Sequence, residues 1–382
     1  MTLIIIILFS VIISACYFGL IIFFSYGWFS NKSPLRSQEK PHTRVSVIIP
    51  FRNEAANMEI LLKSLSEQNF PAELWEVLLV DDHSTDQSQA ITEEFIVNNG
   101  IKNFRVLALS EADGFSKKAA LKKGIETSGG KLVVTTDADC IFNKNWLSAL
   151  VGFYEQKKCR LISAPIVSDD SKGFFSKLYS FEFLSLVASG AGAMSANQAF
   201  LANGANLCFE RSLYDELNGY EAHSHYASGD DVFFLLEAKK YIKNKNEICF
   251  LKDPESIVTT KGPGSLKEFM NQRIRWASKS TGYKDFFAKF TAIIVFVFNF
   301  TIPALLICSF FDYRLALISA ILFVLKLAVD LPLMAAAARF AGKAKLGYYY
   351  FPLQLLYPLY IIAVAMLSLF MKFEWRGRKR RN

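Results

Sequence analysis

Charge is missing from Thr2 to Phe24, and about 20 such residues suffice to cross a bilayer as a helix. No Lys or Arg precedes this run. Ile13-Ser14-Ala15-Cys16, which resembles a lipoprotein cleavage box, therefore reads as part of an uncleaved anchor rather than a removed signal. The six cysteines include no Cys-x-x-Cys and no Cys/His ligand spacing. That argues against zinc and structural disulfides and suits a reducing compartment. Only four histidines are present, and no Ser/His/Asp or Cys/His nucleophile arrangement stands out. Internal repeats and low-complexity segments are also missing. The net charge of +8 comes with no nucleic-acid recognition motif. An anionic lipid surface or a diphosphate accounts for it better, and no nucleic acid is expected as partner.

Apolar residues make up 52% of the 382 residues, and their distribution divides the chain. A transmembrane anchor is expected over 1–25, a catalytic-sized α/β domain over 42–285, membrane or interfacial helices over 288–371, and a basic tail over 372–382. The three C-terminal spans are placed at Phe290–Phe310, Ala316–Ala338 and Tyr348–Phe370. Lys32, Arg36, Lys40 and Arg44 follow the first span, which puts the central domain on the cytoplasmic side. Four spans would leave the tail outside, yet Arg376, Arg378, Lys379, Arg380 and Arg381 favour the cytoplasm. The last apolar segment, with Pro352 and Pro358, is the candidate for a re-entrant course. Lys326 and Asp330 share one helix face inside the second C-terminal span. They read either as a neutralising pair or as part of an acceptor path.

The central region alternates β-rich and helical patterns. Val45 to Ile49 predicts a buried strand stopped by Pro50. A helix over Glu54–Gln68, a strand over Trp75–Val80 and a helix from Asp86 follow. Phe104–Leu107, Lys117–Thr127 and Leu132–Thr136 continue the alternation. This order predicts a mixed, mostly parallel sheet with crossover helices. Ligands bind outside the carboxyl ends of such strands, where Glu54, Asp81, Asp82, Asp137 and Asp139 fall. The aromatic stretch Phe174 to Phe183 suits either a membrane surface or core packing.

Asp137-Ala138-Asp139 supplies two hard oxygen ligands suited to Mg²⁺ or Mn²⁺, although an Asp-x-Asp alone is commonly a solvated turn. In Asp81-Asp82-His83-Ser84-Thr85-Asp86, Ser84 or Thr85 is expected to cap the next helix; the adjacent acids need a further use. Gly229-Asp230-Asp231 opens a helical pattern, as an acidic helix start or as a carboxylate base. Gln272-Arg273-Ile274-Arg275-Trp276 reads as a basic interfacial helix or as an Arg and an indole facing a diphosphate. His223 and His225 read as loop packing, with a metal-binding His-x-His as the alternative.

These motifs, with Pro50-Phe51-Arg52-Asn53-Glu54 leading, resemble in order and spacing the membrane-bound branch of family 2 glycosyltransferases. That branch includes ceramide glucosyltransferases and hyaluronan and cellulose synthases. The resemblance covers about residues 42–285. It implies a GT-A fold with N- and C-terminal transmembrane helices and an inverting transfer from a nucleotide-diphospho-sugar, a UDP-sugar first. The implied acceptor is a membrane lipid or lipid-linked glycan, with a processive polysaccharide synthase as the alternative. The implied location is a bacterial inner (plasma) membrane. By the same resemblance Pro50, Arg52, Glu54, Asp81, Asp82, Lys117, Asp137 and Asp230 bind the donor. Asp137 and Asp139 hold the metal, with Asp139 among the catalytic residues. Asp231 is the base, and Gln272, Arg275 and Trp276 close the site. Ser116 stands where the family often has glycine, and Lys118 competes with Lys117 for phosphate.

Overall fold

The computed structural model describes residues 2–32, 40–220, 229–278 and 282–370, and the backbone of 373–375 and 378–380. His223, His225 and the side chains of the basic tail lie outside the described residues. The chain divides into two compact units. One comprises Asn31–Asp169 and Leu201–Lys261; the other comprises Met1–Ser30, Asp170–Phe200 and Gly262–Asn382. The first element, α1 (Thr2–Ser30), belongs to the second of these.

The first unit begins with three crossover connections. They link β1 (Val45–Phe51), α2 (Ala55–Ser66), β2 (Trp75–Asp81), α3 (Ser88–Asn98), β3 (Phe104–Ala108), α4 (Lys117–Thr127) and β4 (Leu132–Thr135). Then come β5 (Cys140–Phe142), α5 (Trp146–Lys157), β6 (Leu161–Ser163) and β7 (Ile166–Ser168). After α6 (Gly173–Ser195), which belongs to the other unit, follow β8 (Leu207–Glu210), α7 (Arg211–Glu216), α8 (Asp230–Tyr241), β9 (Ile248–Phe250) and β10 (Val258–Thr260). The main sheet has the order β3-β2-β1-β4-β8-β6-β9, and a smaller one has β5-β10-β7. Strands β3, β2, β1 and β4 run parallel, β8 is antiparallel to both its neighbours, and β6 and β9 are parallel. This is the mixed, mostly parallel GT-A-like sheet expected. Every residue of β1 is buried, which a Val/Ile-rich strand covered by helices on both faces requires.

Three local expectations need correction. Strand β1 runs through Pro50 rather than stopping there; Pro50 pairs with Val80 of β2, while pairing with β4 ends at Ile48–Thr135. Successive even residues of β1 turn their amides toward β4, so the missing N–H of Pro50 falls where that neighbour has already ended. Helix α3 starts at Ser88 without a side-chain cap from Ser84 or Thr85. Cysteines 159 and 249, separated by 90 positions, form a disulfide. The pairing of β6 with β9, Ile162 opposite Cys249, brings them together, and no local spacing encodes such a partner.

The second unit contains α1, α6, α9 (Leu266–Ser278), α10 (Phe286–Cys308), α11 (Arg314–Phe340) and α12 (Tyr350–Phe370). The tail carries a short backbone ladder of β11 (Phe373–Trp375) with β12 (Arg378–Arg380). Among the described residues four helices are long and apolar enough to cross a membrane: Leu3–Ser30, Phe286–Cys308, Arg314–Phe340 and Ala344–Phe370. The segment expected to be re-entrant is thus one of these, with Pro358 inside α12. Helix α1 crosses α6 at glycines: a Cβ on Gly192 would lie 2.1 Å from the Phe24 carbonyl oxygen, and one on Gly27 would lie 1.9 Å from that of Gly192. Small residues allow such approach where helices associate in lipid. The aromatic stretch at the start of α6 is divided: Phe174 is exposed, whereas Phe181 and Phe183 further along are buried.

Lys326 and Asp330 are buried and paired at 2.7 Å. Tyr17 donates to Asp330 at 2.9 Å, Gln354 donates to it at 3.1 Å, and Lys326 donates to Gln354. The charges therefore satisfy each other within a hydrogen-bonded cluster, which is how charged groups are tolerated at membrane depth.

Candidate active site

Strand β1 lies between β2 and β4, so the chain's progress across the sheet reverses there. A crevice opens outside the carboxyl ends of the strands at such a switch point. Three acidic segments lead from those ends: Glu54 beyond β1, Asp81-Asp82 at β2, and Asp137-Ala138-Asp139 beyond β4.

The β1 and β2 ends are tied together. Arg52 donates through Nη1 to the carbonyls of Asp82 at 2.7 Å and His83 at 2.8 Å. Asn53 and His83 both adopt positive φ, 52° and 57°, a conformation that a non-glycine residue holds only when its surroundings fix it. Asn53 is fixed by accepting the Thr85 N–H at 2.8 Å. Ser84, expected to cap a helix, instead donates its N–H (3.1 Å) and its hydroxyl to the Asp81 carboxylate. The Ser84 contacts account for the Asp81 carboxylate, which is 5% exposed; Asp82 beside it is 1% exposed. Asp86, rather than Ser84 or Thr85, meets the start of α3. It accepts N–H groups from Ser88 at 3.0 Å and Ala55 at 3.1 Å. Burial opposes its charge, but the Ser88 and Ala55 hydrogen bonds prevail and lower its pKa. The His83 and Phe115 rings stack 4.1 Å apart beside this loop.

Helix α4 supplies the cations. Its Ser116 N-cap accepts the Ala119 N–H at 3.1 Å, so the residue replacing glycine starts the helix. Lys117 forms an ion pair with Asp137, and Lys118 pairs with Asp230 at 3.1 Å. Both candidate lysines thus meet site acids. Burial works against the Lys117 charge, but Asp137, with Asp231 and Asp230 further out, outweighs it and raises the pKa. Beneath the Asp-x-Asp, burial and then Asp139 and Asp137 push the Cys140 thiol well above its usual range.

Asp231 sits in the first turn of α8, where its Oδ2 accepts the Gly204 N–H at 2.9 Å. Gly204 was not singled out from the sequence. Thr135 and Thr136 donate to the carbonyls of Gly204 (2.8 Å) and Ala205 (2.9 Å). Asn206 anchors the same turn, donating to the Pro165 and Ser256 carbonyls at 2.8 Å each and accepting from the Trp146 indole at 3.0 Å. A Cβ on Gly204 would stand 3.4 Å from that of Asp231. The available signal was Thr135-Thr136 just before the Asp-x-Asp.

Gln272, Arg275 and Trp276 lie on α9 in the other unit. There Gln272 accepts the Tyr179 hydroxyl at 3.1 Å, and the Trp276 ring stands 6.1 Å from that of Phe183. Among the described residues no three His, Cys, Asp or Glu side chains form a metal-ligand group. Asp137 and Asp139 therefore offer two carboxylates. That set fits a hard divalent cation provided substrate oxygens and water supply the remaining ligands.

Comparison with known proteins agrees with this architecture. Residues 46–217 match the model of glycosyl transferase family 2, and residues 132–370 match that of glycosyl transferase family group 2. A probable glycosyltransferase YdaM of Bacillus subtilis is 26% identical over 249 residues, covering 63% of this chain and 56% of that protein. Glycosyltransferase AglE of Haloferax volcanii is 37% identical over 103 residues, 27% of this chain and 33% of its own. The matches thus span from a third to little more than half of these relatives. The mannosyltransferase PcManGT from Pyrobaculum calidifontis, solved in complex with GDP-Man and Mn²⁺, shares the fold. Its TM-score is 0.56 at 20% identity, over 94% of this chain and 98% of that one. With a family model spanning well over half of its length, the chain belongs to glycosyl transferase family group 2.

Proposed function

We propose that this protein is an inverting, metal-assisted glycosyltransferase. It moves a sugar from a nucleotide-diphospho-sugar to a lipid or lipid-linked acceptor presented by the membrane. The observation that carries this reading is the placement of Asp231. In the first turn of α8 it accepts the Gly204 N–H at 2.9 Å, next to Asp230, which pairs at 3.1 Å with Lys118, the neighbour of the Asp137-paired Lys117.

A single displacement needs a base for the acceptor hydroxyl and a place for the departing diphosphate. Asp231 removes the hydroxyl proton as the acceptor oxygen bonds the sugar carbon and the bond to the diphosphate breaks. Lys117 and Lys118 meet the developing phosphate charge. Asp137 and Asp139 would hold Mg²⁺ or Mn²⁺, which when bound neutralises the diphosphate. Glu54, Asp81 and Asp82, braced by Arg52 and Ser84, recognise the nucleoside. Gln272, Arg275 and Trp276 act on the donor's leaving group and the acceptor. The fold is one that in the Pyrobaculum mannosyltransferase holds GDP-Man and Mn²⁺; a UDP-sugar is the first donor to test.

The long apolar helices among the described residues support a membrane-presented acceptor. Lys32, Lys40 and Arg44 after α1 support a cytoplasmic catalytic face. A conduit for a growing polymer generally needs more helices, which favours transfer of one or a few sugars over processive synthesis.

Asp231→Asn tests the assignment. Donor binding persists while transfer falls by about 10²–10⁴, the usual contribution of a general base. Turnover at the unsubstituted rate in this variant overturns Asp231 as base.

A further inference from the structure

Arg273 lies within the Gln-x-x-Arg-Trp segment but has none of the roles assigned above. It is 3% exposed, and its partner Glu182 on α6 is 2% exposed. Arg273 Nη2 pairs with one Glu182 oxygen, and the Tyr360 hydroxyl donates to the other at 3.1 Å. The guanidinium carbon lies 4.3 Å from the centroid of the Trp276 ring and 5.2 Å from those of Tyr179 and Phe269. Arg273 Nε and Nη1 make no hydrogen bond, so ring faces are the compensating environment for this cation. Tyr179 in turn donates to Gln272 at 3.1 Å.

A buried ion pair is often no more stabilising than apolar residues of the same volume. What this one provides is orientation. Glu182 fixes the plane of Arg273, the guanidinium fixes the face of Trp276, and the same aromatic cluster fixes the amide of Gln272. We propose that Glu182 and Arg273 are positioning residues that set Trp276 and Gln272 for sugar transfer. The inference rests on the glycosyltransferase reading and adds two residues that do not themselves touch substrate.

The test is a double-mutant cycle in the full-length protein, reconstituted in vesicles of total membrane lipid extract. The vesicles are supplied with UDP-glucose, UDP-N-acetylglucosamine or GDP-mannose. Arg273→Lys and Trp276→Phe are measured alone and together, with rates expressed per folded molecule. Each single variant loses about 10²-fold in kcat, the scale of a misplaced catalytic contact. Donor KM stays within about twofold, as a loss confined to the transition state requires. The double variant loses no more than the worse single one, because both act through the same indole. Where Arg273→Lys does not fold, the nearly isosteric Glu182→Gln takes its place in the cycle. Unchanged kcat in folded single variants, or losses that multiply in the double, overturn the positioning role. If the unsubstituted protein transfers no sugar from any of the donors, the enzymatic reading falls, and this proposal with it.

Discussion

The crossing of α1 and α6 makes a sharp prediction at Gly192. An added Cβ would meet the Phe24 carbonyl oxygen at 2.1 Å, its carbon at 2.8 Å and its Cα at 3.0 Å, whereas ordinary contact starts near 3.4 Å. The obstacle is helix backbone, which cannot rotate aside as a side chain can, so the two helices must separate by roughly an ångström at the crossing. Forcing a methyl group into packed structure costs about 1–3 kcal/mol. Replacing a mid-helix glycine by alanine returns about 0.5–1 kcal/mol of backbone entropy. Gly192→Ala should therefore destabilise the membrane unit by up to about 2.5 kcal/mol on these magnitudes. Gly19 provides the control, since a Cβ there meets nothing within 4 Å. Gly19→Ala should be neutral or stabilising by up to about 1 kcal/mol. Denaturant or thermal unfolding of purified protein in one detergent compares the two. If Gly192→Ala unfolds at or above the midpoint of Gly19→Ala, close backbone contact is not what holds this crossing.

Other expectations follow from single sites. Lys326→Leu leaves Asp330 buried without its cation and should cost about 3–5 kcal/mol, whereas Lys326→Leu with Asp330→Leu should cost clearly less; equal unfolding midpoints for the two proteins would contradict the neutralising pair. Full activity in the double variant would exclude an acceptor path through it. The lowered pKa of Asp86 contributes stability above its ordinary value of 3.8, and that contribution disappears as pH falls through the depressed value. The unfolding midpoint of Asp86→Asn should thus lie below that of the unsubstituted protein near neutral pH and converge with it in strong acid; a gap that widens in acid contradicts this. Under oxidising conditions Cys249→Ser should lower stability by about 2–4 kcal/mol. Dithiothreitol should remove the difference, and alkylation with mass analysis should find Cys159 newly reactive.

Legibility in the sequence followed the range of the interaction. Helix α4 was predicted at its observed ends because its signals are local: Ser116 caps it and Gly129-Gly130 follows it. The parallel strands β1 to β4 were legible from β-branched runs set between amphipathic helices. Strands β5 to β10 pair over long sequence separations, in segments of three or four residues, too short for a period to declare itself. The Cys159–Cys249 bond depends on the same non-local pairing. In the candidate site Glu54, Asp81, Asp82, Asp137 and Asp139 were legible as strand-end carboxylates, Asp230 and Asp231 as an acidic helix start, and Lys117 only through the family resemblance. Gly204, Thr135, Thr136 and Asn206 were not, because a backbone N–H aimed at a carboxylate leaves no side-chain signature.

The interleaving of the two units also bears on how the protein is made. Strand β4 is paired with β8, yet the whole of α6 is synthesised between them. At about 5–20 residues per second, some seventy residues separate the strands by roughly 4–14 s of translation. During that interval the central sheet has an open β4 edge while an apolar helix of 23 residues is synthesised. Excising residues 31–261 as a water-soluble enzyme would keep that helix and discard α1, against which its Gly192 packs. A usable soluble version has to replace Asp170–Phe200 with a polar bridge between β7 and β8, not merely trim the ends.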